Sequence, residues 1–319
     1  MLRSIALQGK GKTHEKMAAP CQDFTYISHQ SDVNIVSLAD GAGSAKLSQY
    51  GAEIMTKQLS VFLSGYFDSL YENENGVQVK QQIITILQNE ITVLAQELNC
   101  EIKDLSSTLL SVAVKGNHFI LIHLGDGVIG CIKNGEVVVA THPENGEFCN
   151  QTYFTTSSDA ISKMQLVKGS MDEIAGFILM SDGTEASLYD KRKKKLAPAA
   201  MKLMFMCATM EEAECKTKLE TIMTEIFTQR TGDDCSIAML VDDEKLRKII
   251  IANNDPYKQK YTTGVKYENE ILMALEHSYS VKQISKLLHI NTKAIYRKVN
   301  NLKRRGYVVL ENGKYKVLR

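Results

Sequence analysis

No apolar stretch of this 319-residue chain approaches the length needed to cross a bilayer, and the opening MLRSIALQGKGK lacks the apolar core of a secretory signal. The expectation is a cytoplasmic protein with no membrane partner. The seven cysteines, at 21, 100, 131, 149, 207, 215 and 235, are odd in number and include no CxxC pair. That pattern argues against a disulfide framework and for reduced thiols. Net charge is nearly absent too, at +1, but it is unevenly spread. Residues 260–319 hold 13 Lys plus Arg against 4 Glu and no Asp, a net of +9, which leaves −8 on the remainder. With 44% hydrophobic residues the chain can bury a sizeable core, and its length and charge asymmetry predict an acidic and a basic module with different partners.

Five aspartates stand at the edges of short apolar runs. Asp40 closes VNIVSLAD ahead of GAGS, Asp126 closes HFILIHLGD, and Asp182 follows GFILMS; Asp233 opens DDCSIAMLV and Asp23 opens DFTYI. Short apolar runs bounded by Gly and Asp predict buried strands, so these carboxylates belong at strand ends. Asp-Gly after a strand is also an ordinary turn signal, and one such aspartate alone says little. Five are harder to assign to turns. Buried carboxylates are costly without a partner, few Lys or Arg lie beside them in sequence, and hard cations fit oxygen donors of this kind.

The acidic module reads as mixed α and β. Strands are predicted near 23–29 and 33–39. A helix from about Ala45 to Tyr71 has Leu47, Tyr50, Ile54, Leu59, Phe62 and Leu63 on one face, and a second from about Val77 to Leu98 carries Ile83, Ile84, Leu87, Ile91, Leu94 and Leu98. Between Thr108 and Thr141 three strands are expected: TLLSVAVKG, HFILIHLGD and one after the Asn134-Gly135 turn. Strands resume at 165–180, helices follow near 197–208 and 211–229, and SIAMLV closes the module. Strand runs broken by paired helices suit two packed sheets flanked by helices.

The ordered series CQD, LADGAGS, SSTLL, HLGDG, MSDG and GDDCS resembles the metal-dependent PP2C (PPM) family of protein serine/threonine phosphatases, in particular its bacterial branch. The resemblance covers roughly residues 1–242 and implies an α+β fold, an αββα sandwich. It also implies two Mg²⁺ or Mn²⁺ ions that activate water against phosphoserine or phosphothreonine, the kind of chemistry two adjacent metals can supply. Carried over position by position, Asp40 is the bridging ligand, Gly41 a backbone carbonyl ligand, and Asp182 and Asp233 ligands of the first metal. Asp23 holds a water or orients the nucleophile, and Asp126 serves, with Asp182, a weaker third metal. Asp234 is expected to support the site from behind. The implied partner is a phosphorylated protein, with a partner Ser/Thr kinase as the suggested substrate.

The chain also departs from that pattern. Many members place an Arg before the first acidic motif to grip phosphate, whereas GKTHEKMAAPCQD has none after Arg3, leaving His14, Lys12 or Lys16. Ala42 stands where members with DGHGG place a His, so His14 is the remaining protein candidate for a general acid. GKGKT at 9–13 imitates a phosphate loop but has Ala6 where the pattern needs Gly, and it is read as solvated loop without a nucleotide. DKRKKK at 190–195 is likewise read as a solvated surface loop, with steering of acidic or phosphorylated partners as the other reading.

After a polar linker at 243–265, residues 266–319 form the basic module. ENEILMALEH, SVKQISKLLHI and NTKAIYRKVNNLKRRG read as three helices, the second capped by Ser280, the third capped by Asn291 and ended by Gly306. YVVLENGKYKVLR reads as a hairpin around Asn312-Gly313. Together they resemble a small winged helix-turn-helix domain. Ile295, Val299 and Leu302 form its buried stripe; Lys293, Tyr296, Arg297, Asn300 and Arg304 face outward toward DNA or a protein partner. Two functions stand: a metal-dependent phosphatase with a targeting or regulatory winged helix, or a DNA-binding regulator with a non-catalytic PP2C-like sensor domain.

Overall fold

The chain opens with strand β1 (Leu2–Gly9), the short helix α1 (Lys12–Lys16), and the antiparallel pair β2 (Phe24–Gln30) and β3 (Val33–Ala39). Two long helices follow, α2 (Ser48–Glu72) and α3 (Gly76–Glu97). Next come β4 (Leu109–Lys115), β5 (His118–Leu124), β6 (Val128–Lys133) and β7 (Glu136–Thr141). Helix α4 (Ala160–Lys163) leads to β8 (Gln165–Ser170), β9 (Ile174–Met180) and helix α5 (Asp182–Leu188). The short hairpin β10 (Tyr189–Asp190) and β11 (Lys195–Leu196) precedes helices α6 (Pro198–Thr209), α7 (Glu212–Ile222) and α8 (Thr228–Arg230), then β12 (Cys235–Asp242) and α9 (Asp243–Asn253). This computed structural model describes residues 1–143, 152–253, 268–276, 279–288, 290–304, 306–311 and 314–317. It divides into two units, Met1–Arg247 and Lys248–Arg319.

The first unit is built on two five-stranded antiparallel sheets, ordered β1-β12-β9-β6-β7 and β2-β3-β4-β5-β8. Successive side chains of a strand point to opposite faces, and here both faces are covered. In the second sheet Ile35, Leu109, Ala113, Ile120 and Ile122 pack with Met55, Leu59 and Leu63 of α2 and Ile83 and Leu87 of α3. Their alternates Val36, Leu38, Leu110, Val112 and Leu121 meet Ile129, Phe177, Leu179, Ala238 and Leu240 of the first sheet. Helix α6 packs on the far side of that first sheet, burying Ala200, Leu203, Met204 and Cys207. The layers are therefore helix, sheet, sheet, helix, as expected for the acidic module.

Several local expectations are corrected. LRSIALQG forms strand β1, paired along its length with β12, although only Ile5 of its residues is buried. Four strands, not three, lie between Leu109 and Thr141, because VIGCIK forms β6. The β6–β7 turn falls at Asn134-Gly135, whose φ values of 51° and 82° are those a tight hairpin needs. On α2, Tyr50 is 43% exposed, and Gly51, Ala52 and Met55 face the core instead; at the end of α3, Leu98 is 37% exposed. GKGKT is not a free loop: α1 rests on the turn before β12, where Thr13 donates its N–H to the Gly232 carbonyl at 2.9 Å.

Asp243–Asn253 is a helix where the sequence suggested polar linker. Leu246 is buried, Asp243 donates its N–H to the Met1 carbonyl at 3.0 Å, and Lys245 Nζ donates to the Met171 carbonyl. These contacts stitch the start of α9 onto the first unit.

The second unit contains helices α10 (Glu268–Glu276), α11 (Val281–Leu287) and α12 (Thr292–Arg304), and the antiparallel hairpin β13 (Val308–Glu311) with β14 (Lys314–Val317). Its core joins Ile271, Leu275, Val281, Ile284, Ile295, Val299, Leu302 and Val308. Ser280 caps α11 in a reciprocal box with Gln283. Lys293, Tyr296, Arg297, Asn300 and Arg304 are all exposed on α12. Gly306 follows that helix at φ 80°. The Asn312-Gly313 turn and the linker stretch 254–267 lie outside the described residues.

Candidate active site

Strand register collects the five aspartates at one edge of the sandwich. Phe24 pairs with Ala39, so Asp23 and Asp40 flank the same end of the β2–β3 ladder. Met180 pairs with Ile237 and Val128, which brings Asp182, the turn before β12 and the β5–β6 turn to a common end of the other sheet. The Asp40 carboxylate experiences Asp23, Asp182, Asp233 and Asp126 together.

Backbone clamps fix these positions. Asp40 donates its N–H to Thr108 Oγ1 at 2.9 Å, and its carbonyl accepts the Thr108 N–H at 2.8 Å. SSTLL thus holds the ADGAGS loop. A Cβ on Gly41 would stand 2.8 Å from the Gln22 carbonyl oxygen and 2.7 Å from Ser48 Cβ. Gly183 is required by packing: a Cβ there would lie 2.0 Å from the Asp234 carbonyl oxygen.

The adjacent aspartates before β12 differ sharply. Asp233 is exposed, whereas Asp234 is buried and accepts the N–H groups of Gly11 at 2.7 Å and Gln22 at 2.6 Å. His14 Nδ1 lies 2.9 Å from the same Asp234 carboxylate. Asp234 therefore ties α1 and the CQD segment to the turn that carries Asp233. Asp126 accepts the Thr152 hydroxyl at 2.6 Å.

The electrostatics are those of an acidic cluster without its counter-charge. Both oxygens of Asp23 and one of Asp182 are buried with no hydrogen-bond partner. Burial, opposed by the nearby Ser236 hydroxyl and reinforced by Asp234, pushes Asp23 up to about 7. Burial with Asp233 and Asp126 raises Asp182 to about 6, and burial with the surrounding aspartates raises Asp40 well above the carboxylate range. Among the described residues no Lys or Arg pairs with Asp23, Asp40, Asp126, Asp182 or Asp233. Oxygen donors without a protein cation fit hard divalent ions. Among the described residues no three acidic, His or Cys side chains form a closed cage around one point.

The phosphate-gripping position remains without an arginine. Arg3 is committed elsewhere, donating to the Ala208 and Met210 carbonyls at 3.1 and 2.6 Å. Lys12 Nζ donates to the Gln229 carbonyl at 3.2 Å. Glu185, 1% exposed on α5, was not among the residues expected here, and Lys191, whose ammonium pairs with it, belongs to the DKRKKK run expected to be a solvated loop. The signal for Glu185 was present, since a carboxylate three residues after Asp182 lies on the same side of a helix. Residues Lys293, Tyr296, Arg297, Asn300 and Arg304 belong to the second unit and form a separate face.

The class is an αββα sandwich, here with an acidic edge, and solved structures share the fold. Serine/threonine phosphatase Stp1 from Staphylococcus aureus matches with a TM-score of 0.55 at 14% identity, over 76% of this chain and 95% of that one. The catalytic domain of serine threonine protein phosphatase PstP, in complex with two manganese ions, matches at 0.51 and 16% identity, over 75% and 97%. Serine/threonine-protein phosphatase 3 of Escherichia coli strain K12 is 22% identical over 241 residues, 72% of this chain and 94% of that protein. Residues 10–224 match the family described as Protein phosphatase 2C. The chain belongs to the protein phosphatase 2C family, and with it to the serine/threonine protein phosphatases. No helix among the described residues is long and apolar enough to cross a membrane.

Proposed function

We propose that the first unit hydrolyses phosphoserine and phosphothreonine in protein substrates at its acidic edge, with two Mg²⁺ or Mn²⁺ ions. The observation that carries this reading is the set of buried, unpartnered carboxylate oxygens gathered with no Lys or Arg ion pair to them among the described residues. Asp40, the Gly41 carbonyl, Asp182 and Asp233 would hold the two ions, and Asp126 would serve a third, weaker one. When bound, the ions neutralise phosphoryl charge and lower the pKa of water.

The chain's own groups supply positioning. Asp23, sealed behind the edge with both oxygens free, orients the attacking water. Thr108 holds Asp40 by main-chain bonds on either side of its carboxylate-bearing carbon. Asp234 steadies Asp233 from behind and holds His14 of α1 in place, the candidate proton donor to the leaving serine or threonine oxygen. Free thiols at Cys21, Cys100, Cys131, Cys207, Cys215 and Cys235 suit a reducing cytoplasm.

The second unit supports a winged helix-turn-helix reading: α12 buries Ile295, Val299 and Leu302 and leaves a basic face for a DNA groove or a protein partner such as a Ser/Thr kinase. A DNA-binding regulator with an inactive first unit is the competing reading, favoured by the engagement of Arg3 elsewhere. Manganese-dependent hydrolysis of p-nitrophenyl phosphate decides between them. The native chain should turn it over, and Asp40→Asn should lose at least a hundredfold in kcat, the scale of losing a key electrostatic group, roughly 10²–10³. Equal rates in the native chain and the variant would leave only the regulator.

A further inference from the structure

Beyond the acidic edge itself, the structure joins a strongly basic turn to it. Helix α5 starts at Asp182 and places Glu185 one turn later on the same side. Glu185 is buried, and its counter-ion comes from the β10–β11 hairpin: Lys191 Nζ forms an ion pair with Oε1. That ammonium also lies within electrostatic reach of Asp182 and Asp126. The run read from sequence as solvated loop is thus attached, at its first cation, beside the candidate active site.

The turn has a defined shape. Asp190 Oδ1 accepts the N–H groups of Arg192 and Lys193, each at 3.0 Å. Lys194 takes a left-handed φ of 52°. Leu188 and Leu196 are buried at the base, and Ala197 donates its N–H to the Leu188 carbonyl at 2.7 Å. Tyr189 Oη stands 3.0 Å from His142 Nδ1. Residues 191–195 are exposed and all cationic. Lys191 and Lys193 have carboxylate partners in Glu185 and Asp190; among the described residues no ion pair engages Arg192, Lys194 or Lys195.

We propose that this hairpin is a docking site for acidic segments that flank the phosphorylated residue, so that the enzyme selects phosphoserine and phosphothreonine in acidic peptides. The proposal rests on the phosphatase reading of the neighbouring edge. An extended peptide advances ~3.3 Å per residue, so side chains a few positions from the phosphate reach beyond the centre that holds it. Over an edge that is itself acidic, a neighbouring cation cluster compensates the repulsion an acidic peptide meets and steers its approach. It supplies positive charge on a chain whose Arg3 is turned away from the site. A charge run that is merely solvated would have neither the Lys191–Glu185 attachment nor a turn fixed by Asp190.

The test compares two phosphothreonine peptides with a common centre, one flanked by Asp and Glu and one by Gln and Ser, on the full chain with Mn²⁺. The native chain should show a KM at least fivefold lower for the acidic peptide, with the advantage shrinking between 50 and 300 mM salt, as the Debye length falls from roughly 14 to roughly 6 Å. The variant Arg192→Gln/Lys193→Gln/Lys195→Gln should raise that KM roughly tenfold, about twofold per exposed charge, with kcat within about twofold. Fluorescence anisotropy with the unphosphorylated acidic peptide gives a readout free of turnover, and binding should weaken in parallel; Arg192→Glu is the second variant, and thermal melting checks that both fold. Equal KM values for the two peptides, or an unaltered preference in both variants, would overturn the proposal. So would duplex DNA binding that depends on these residues while the acidic peptide does not bind. Failure to hydrolyse even p-nitrophenyl phosphate would instead strike the phosphatase reading, and the anisotropy arm would still decide docking.

Discussion

Removing one carboxylate from the acidic edge should stabilise the metal-free protein. Burial, with Asp233 and Asp126 nearby, raises Asp182 from the ordinary 3.8 to about 6. The folded chain therefore binds that proton more tightly than the unfolded chain. Its contribution is fully present below pH 3.8 and is lost as pH rises through about 6. Two pKa units correspond to ~3 kcal/mol, and the partial exposure of Asp182 reduces this to about 2 kcal/mol. Asp182→Asn keeps the shape and an oxygen acceptor but discards the charge. In chelator at pH 7.5 it should melt above the native chain by roughly 4–8 °C for a unit of this size. At pH 4 most of the gap should close. With saturating Mn²⁺ the order should invert, because the native chain gains the linkage energy of bound metal and the variant gains less. Melting curves followed by far-UV circular dichroism under the three conditions suffice. A variant that melts at or below the native chain in chelator at pH 7.5 would refute the account of the edge as an uncompensated acidic cluster.

Two further outcomes are expected. His123 is buried between Thr141 Oγ1 at 2.7 Å and the Gly125 carbonyl at 3.1 Å, and burial lowers it from 6.5 to about 4. Its stabilising contribution is complete above pH 6.5 and is lost as pH falls through about 4; urea titrations of His123→Gln should show about 3 kcal/mol less acid-side loss than the native chain. For the second unit, gel shifts on duplex DNA at 50–300 mM salt should show a salt slope that falls by about 1 per phosphate contact removed in Lys293→Ala and Arg297→Ala; no shift even at 50 mM would remove DNA as its partner.

Much of this architecture was legible because the central strands of both sheets are buried on both faces. VNIVSLA, LLSVAVK and IAGFILM are nearly continuous apolar runs, and the aspartates that follow the first and the last of them, Asp40 and Asp182, marked one edge. Strand β1 escaped notice because an edge strand with one buried residue and Arg3 and Gln8 along it has neither alternation nor an apolar run. Strand β6 was hidden by Gly130, where a Cβ would stand 2.3 Å from Leu196 Cδ1; a glycine needed for packing looks like a turn residue in sequence. Asp233 and Asp234 are chemically identical neighbours that the family resemblance alone told apart in sequence; the hydrogen bonds from Gly11 and Gln22 to Asp234 give the physical difference. The Lys191–Glu185 contact depends on how a hairpin folds back on α5, which no local spacing encodes.

The pairing of β1 with β12 has a consequence for how the molecule comes into being. Leu2 meets Asp242, and Gly9 meets Cys235, so the first strand made must wait for the last strand of its sheet. Contacts between such distant parts of a chain are slow to form, since the intervening loop must close before they are rewarded. During synthesis the helix-covered β2–β5 sheet can assemble early, while Leu2–Gly9 stays unpaired until Asp242 has left the ribosome. The same late event brings Asp233 and Asp234 to Gly11 and Gln22. The acidic edge is therefore completed only when the first unit is, which keeps a partly made chain from presenting a finished site.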